Sequence, residues 1–208
     1  MESAKTVTPQ RLGQTELLET PPSRKLIVPS GHRSWWGIDP STKRCAIGTV
    51  SPGVASNDDL RKSQLVSFPT LEGGRRLAVI ANLVRDLASA LALLSPPGLV
   101  VVEQPSGKSP NLELVYATGV IMGAVSQGIT ATTGHVIRVE TVPPATWKRV
   151  AVGRGDIYKP SPTELREGAI YPVLAWAQTL GYTGSSWDEA DAWGIADYAR
   201  RTVALEKR

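Results

Sequence analysis

From Ser34 onward the hydrophobic and polar positions fall into blocks of two different periods. Ser34–Asp39 and Arg44–Val50 are short apolar runs separated by PSTKR, and Gln64–Phe68 follows the loop SPGVASNDD. Apolar runs bounded by Pro, Gly, Ser and Asp read as strands, and three in a row read as an antiparallel meander. Leu71–Leu94 changes period. Leu77, Ile80, Val84, Leu87, Leu91 and Leu94 recur at spacings of three and four, which predicts a helix with one buried face, ended by SPPG. Leu99–Glu103, LVVVE, is continuously apolar up to its last residue, the mark of a central strand covered on both faces. Leu112, Val115, Tyr116, Gly119 and Met122 form a second helical stripe, and His135–Val139 reads as a fifth strand. Pro162–Leu180 reads as a helix that Pro172 kinks or splits, and a final helix runs from about Ser186 to Leu205. The order β-β-β-α-β-α-β-α-α predicts an α/β fold, a mixed sheet with helices packed on its faces.

Residues 1–33 are polar and aperiodic and read as a disordered tail ahead of a single domain, 34–208. Hydrophobic residues make up 41% of the 208, enough for one core. The net charge of +4 permits an anionic partner such as nucleic acid without requiring one. The single cysteine, Cys45, rules out an internal disulfide and suits a reducing compartment. Two distant histidines, His32 and His135, argue against zinc, so a bound metal would be held by carboxylates, as Mg²⁺ and Mn²⁺ are. No run approaches the roughly 20 apolar residues that span a bilayer. MESAKTVTPQ lacks the apolar stretch of a signal peptide, so the expectation is a soluble cytoplasmic protein with no membrane partner.

The acids carry the candidate chemistry. Asp39 ends the first apolar run, pinned between Ile38 and Pro40; Glu103 ends LVVVE, with Pro105 two residues on. In open α/β sheets ligands bind at the ends of neighbouring strands, although either acid alone also reads as a solvated strand end. In SSWDEADAWGIADYA, Ser186 and Glu189 have capping-box spacing, and Asp188 and Asp191 lie three apart on one helix face. Acids in a first turn also suit the helix dipole. Asp191 lies deeper, with Ile195 four residues on, where a carboxylate is costly to bury unless a cation meets it. Four converging carboxylates repel and do not all stay ionised. Two divalent cations about 3.5–4 Å apart remove the conflict and supply phosphodiester cleavage. The chain has no GxxxxGK[ST] phosphate loop, no GxSxG elbow and no Cys–His pair suggesting another chemistry.

GIDPSTKRCAIG, VVVEQP and DEADAWGIADYA resemble the three acidic motifs of the RuvC-type Holliday-junction resolvases, in the RNase H-like superfamily. The resemblance covers about residues 34–204 and implies an RNase H-like five-stranded sheet, meander first and parallel strands after, with helices on both faces. It implies that Asp39, Glu103, Asp188 and Asp191 bind two Mg²⁺ ions, with Mn²⁺ able to substitute. WKRVAVGRGDIYK is similar to the resolvase segment with two lysines eleven apart around a GxG turn, here Lys148 and Lys159. By that likeness both serve the catalytic centre or contact DNA, with Arg149, Arg154 and Lys108 as further DNA contacts. Also implied are a homodimer, with Asn111–Gln127 as its interface helix, and paired nicks in branched DNA during recombination, repair or bacteriophage DNA processing. The cell compartment would be bacterial cytoplasm, or that of a phage host. The loop QPSGKSPN departs from the family in carrying no aromatic wedge. The rival readings are an RNase H-like nuclease acting on RNA, a junction-binding dimer that does not cut, and structural acids beside an unrelated anion site.

Overall fold

The structure, a computed structural model, describes residues 34–52, 60–70, 73–106 and 111–206. The tail 1–33, most of the loop after the second strand, and Lys108 lie outside the described residues. In chain order the elements are β1 (Ser34–Pro40), β2 (Arg44–Ser51), β3 (Leu60–Ser67), α1 (Gly73–Leu94), β4 (Pro97–Glu103) and α2 (Leu112–Thr133). They continue as β5 (Val139–Val142), α3 (Pro144–Val152), α4 (Pro162–Arg166), α5 (Pro172–Thr179) and α6 (Trp187–Glu206).

The five strands form one mixed sheet in the order β3-β2-β1-β4-β5. β1, β2 and β3 pair antiparallel, as the meander predicted, and β4 and β5 add in parallel. Period-2 alternation along β4 explains its continuous apolar run. Val100 and Val102 pack with Trp36, Ile38, Ile80, Val84, Ile121 and Val125 in one core, while Leu99 and Val101 pack with Trp147, Tyr171 and Ile195 in a second. Helices α1 and α2 therefore cover one face, and α3, α5 and α6 the other.

Two glycines set how closely α6 approaches. Gly37 and Gly48 are register partners on β1 and β2. A Cβ on Gly37 would lie 2.2 Å from the Ala196 nitrogen, and one on Gly48 would lie 2.6 Å from the Ala192 carbonyl carbon. The helix thus rests backbone on backbone against the sheet. Its far half is tied by Asp197, fully buried, which pairs with Arg200 at 2.8 Å and Arg201 at 2.7 Å and lies 3.7 Å from Arg61 of β3.

Several elements differ from the sequence expectation. The fifth strand is Val139–Val142, not 135–139. Gly134 closes α2 in the left-handed conformation (φ 71°), and the next residues span the distance to β4, where Val139 pairs with Val100. Helix α3 was not anticipated; it starts on Pro144, whose missing N–H costs nothing in a first turn. Pro172 does split the 162–180 segment, opening α5 after α4 has ended. Most of the expected stripe on α2 faces outward: Leu112, Val115, Tyr116 and Gly119 are exposed, while Met122 packs half-buried on the first core beside Ala117, Ile121, Ala124, Val125 and Ile129. Helices Gly74–Leu94 and Leu112–Thr133 are, by length and composition, long and apolar enough to cross a membrane, contrary to the reading that no run came close. Here they pack on each other, with Ser89 donating to the Gly128 carbonyl at 3.2 Å, and their inner faces join the first core.

Candidate active site

The sheet register brings the first two acids together. Ile38 and Val102 are parallel partners facing the first core, so the next residues, Asp39 and Glu103, turn side by side to the opposite face, beneath α6. Helix α6 contributes Asp188 and Asp191 from its first two turns. The four carboxylates are gathered at one end of the sheet, and Asp39, Asp188 and Asp191 are all buried.

Lys159 stands at their centre. Its Nζ lies 2.9 Å from Asp188 Oδ1, 3.0 Å from Asp191 Oδ2 and 3.8 Å from Asp39 Oδ2. Three carboxylates from two elements thus share one cation. Glu103 stands apart from the ammonium and accepts a hydrogen bond from Trp147 Nε1 at 2.6 Å. The Tyr171 hydroxyl donates to Asp191 Oδ1 at 2.6 Å, and Arg44 pairs with Asp188 Oδ2.

The electrostatics follow from crowding in a dry place. Burial pushes Asp39 well above the usual carboxylate range, and the charges of Glu103 and Asp191 push it further. Burial, then Asp191, raises Glu103; burial raises Asp191, against the pull of Lys159 and the Tyr171 hydrogen bond. For Lys159, burial works against the charge, but Asp39, Asp191 and Asp188 outweigh it and hold its pKa above the ordinary lysine range. The cluster is short of positive charge even with the Lys159 ammonium and the Arg44 guanidinium present.

That shortage is the test of whether a metal fits. Among the described residues no three His, Cys, Asp or Glu side chains are spaced as a ready ligand set. The Lys159 ammonium fills the space between the oxygens instead. In donor chemistry the set does fit a hard divalent cation: four carboxylates, three of them buried and Glu103 half-buried, repelling one another. Asp39, Glu103, Asp188 and Asp191 would hold it, in competition with Lys159.

The remaining sequence-predicted residues are placed differently from one another. Lys148 is buried, with Nζ donating to the Ile157 carbonyl at 3.2 Å and lying 5.4 Å from the Trp147 ring centre. It pins the segment that delivers Lys159. Arg149 and Arg154 are on the surface, Arg154 paired with Asp156 at 3.3 Å. Trp147, Tyr171 and Arg44 were not singled out from sequence. Trp147 and Tyr171 had a signal in hindsight: polar-tipped aromatics that are buried need a partner for the tip. The expected capping box at Ser186 is half formed. Ser186 Oγ accepts from Glu189 N at 3.3 Å, but the Glu189 carboxylate turns to Ser63 and Tyr182, and Ser186 N donates to the Tyr182 hydroxyl. A complete capping box occurs at Ser161 and Glu164.

No family model matches the chain, and no curated protein matches it significantly. Among solved structures, Thermus thermophilus RuvC superposes with a TM-score of 0.59 at 20% identity, covering 83% of this chain and 96% of that one. T. thermophilus RuvC in complex with a Holliday junction substrate superposes with a TM-score of 0.56 at 19% identity, covering 84% and 96%. The chain therefore has the RuvC-like, RNase H-like fold, with its acidic cluster at the ends of β1 and β4 under α6.

Proposed function

We propose that this protein is a Mg²⁺-dependent endonuclease that resolves four-way DNA junctions by paired nicks. The observation that supports it most is the meeting of Asp39, Asp188 and Asp191 on one ammonium beside Glu103, on the fold that RuvC has. Two bound Mg²⁺ ions would supply an activated water and stabilise the departing 3′-oxygen, leaving a 5′-phosphate. The protein's own part is to hold the oxygens. Tyr171 fixes the Asp191 carboxylate and Trp147 fixes that of Glu103, each by a hydrogen bond of 2.6 Å. Asp39 is held extended by the proline that follows it. Lys159, partly exposed, would swing from the oxygens toward the scissile phosphate as cation charge arrives. Arg149 would bind a flanking phosphate from the surface, while Arg154 is paired with Asp156.

A junction is nearly two-fold symmetric, so paired nicks call for two copies of the site. The outward face of α2 suits a second copy of this chain. Leu112, Val115 and Tyr116 are 70%, 40% and 63% exposed, and a Cβ on Gly119 or Gly123 would meet nothing within 4 Å. Neither glycine packs on the sheet.

The test is incubation with a synthetic four-way junction and with linear duplex, with and without Mg²⁺. The expected result is symmetric nicking of the junction alone, and only with the metal. Equal cutting of linear duplex would remove the junction selectivity, and no cutting of either would refute the nuclease.

A pH dependence follows from the raised carboxylates. Ligating oxygens must be deprotonated, and Asp39, Glu103 and Asp191 hold their protons to higher pH than ordinary acids. The Mg²⁺ concentration needed for half-maximal cleavage is expected to rise on the order of tenfold from about pH 8 to about pH 6. A requirement independent of pH, read from Mg²⁺ titrations of the cleavage rate, would count against these ligands.

A further inference from the structure

We propose that a cleft beside the carboxylate cluster, built on Tyr158 and Ile170, is a platform for one unpaired nucleobase next to the scissile phosphate; this rests on the junction-cutting reading above. The cleft measures about 200 Å³ and is lined by Arg154, Asp156, Tyr158, Glu164, Ile170 and Pro172 among others. Two of its walls continue directly into the site. Tyr158 precedes Lys159, whose ammonium sits among the carboxylates, and Pro172 follows Tyr171, whose hydroxyl holds Asp191.

Tyr158 and Ile170 are 69% and 68% exposed, an aromatic and an aliphatic side chain left in water one residue along the chain from Lys159 and Tyr171. The segment carrying Tyr158 is anchored just before the ring. Lys148 Nζ holds the Ile157 carbonyl, and Gly155 packs so tightly on Ala145 that a Cβ would lie 2.7 Å from its carbonyl oxygen. The Tyr158 hydroxyl reaches Glu164 Oε1 at 3.4 Å. The ring is therefore presented in advance, at little ordering cost on binding.

The charges decide which part of a nucleotide enters. Asp156 and Glu164 are carboxylates, and the one cation of the lining, Arg154, is already paired with Asp156. A phosphate would be repelled. A base offers a flat face for Tyr158 and Ile170, and its exocyclic amino group can donate to either carboxylate.

The experiment places 2-aminopurine at each nucleotide flanking the crossover of a synthetic junction and titrates Asp39→Asn protein, which keeps the junction uncut. One position should be quenched severalfold on binding, not in the added presence of Tyr158→Ala, and again with Tyr158→Trp. In the cutting protein, Tyr158→Ala should slow cleavage about tenfold, and Tyr158→Trp should recover most of that loss. Quenching and cleavage in Tyr158→Ala equal to those of the parent overturn the platform alone. A parent protein that neither binds nor cuts the junction overturns the function and the platform together.

Discussion

Asp39→Asn is expected to lower junction cleavage on the order of 10³-fold while junction binding survives. The substitution keeps the shape of the side chain and removes a single charge from the crowded end of β1. Its effect on the fold has the opposite sign. The folded protein holds the Asp39 proton more tightly than the unfolded chain does, because burial and the neighbouring acids Glu103 and Asp191 raise its pKa. The stability that this proton contributes is present in acid, below the unfolded pKa, and is lost as pH rises through the folded one. At neutral pH the ionised group therefore opposes folding of the metal-free protein. Metal-free Asp39→Asn is expected to melt higher than the parent near pH 8, with the difference shrinking as the pH falls. Melting curves at several pH values, beside single-turnover cleavage of a labelled junction, check both halves. A variant that cuts at the parental rate in Mg²⁺ would remove Asp39 from the site.

Gly37→Val is expected to cost both stability and cleavage, for a reason that lies outside the acids. Even the first added carbon would sit 2.2 Å from the Ala196 nitrogen and 2.3 Å from the Ala192 oxygen, both backbone atoms that no rotamer change can move. Relief requires α6 to lift, and α6 carries Asp188 and Asp191. Overpacking of this kind costs about 1–3 kcal/mol or more, which in a chain of this size lowers Tm by roughly 2–10 °C. Displacement of the two acids then lowers cleavage even where the protein stays folded. Gly119→Ala is the control: its Cβ enters open space on α2, so protomer stability should hold or rise slightly. Equal melting of Gly37→Val and the parent would mean that the helix does not rest on the sheet as described.

What sequence could reveal here depended on whether the signal was local. The apolar run LVVVE announced a strand covered on both faces, and β4 is one, with its alternate residues in two cores. The period of three and four over 77–94 marked α1, and Ile80 and Val84 are buried on it as expected, although Leu94 is not. The same rule misled on α2, because a helix with exposed apolar residues on one side and buried ones on the other carries two stripes. The bolder of the two, Leu112, Val115 and Tyr116, faces out. Asp39 and Glu103 stood out because each ends an apolar run, and Asp188 and Asp191 because they lie three apart at the start of a helix. Trp147 and Tyr171 did not, since their partners lie 44 and 20 residues away and no spacing rule links them. Lys148 reads as a surface cation from its residue type; only tertiary packing reveals that its ammonium is spent on the Ile157 carbonyl.

The proposed function depends on Asp39, Glu103, Asp188 and Asp191 forming one pocket for divalent charge. Titration calorimetry of Mn²⁺ into the metal-free protein near neutral pH tests this without any DNA. Saturable binding is expected in the parent, and its loss or severe weakening in Asp39→Asn and in Asp191→Asn, each folded by its melting curve. Mn²⁺ heats that are the same in all three proteins would contradict the account.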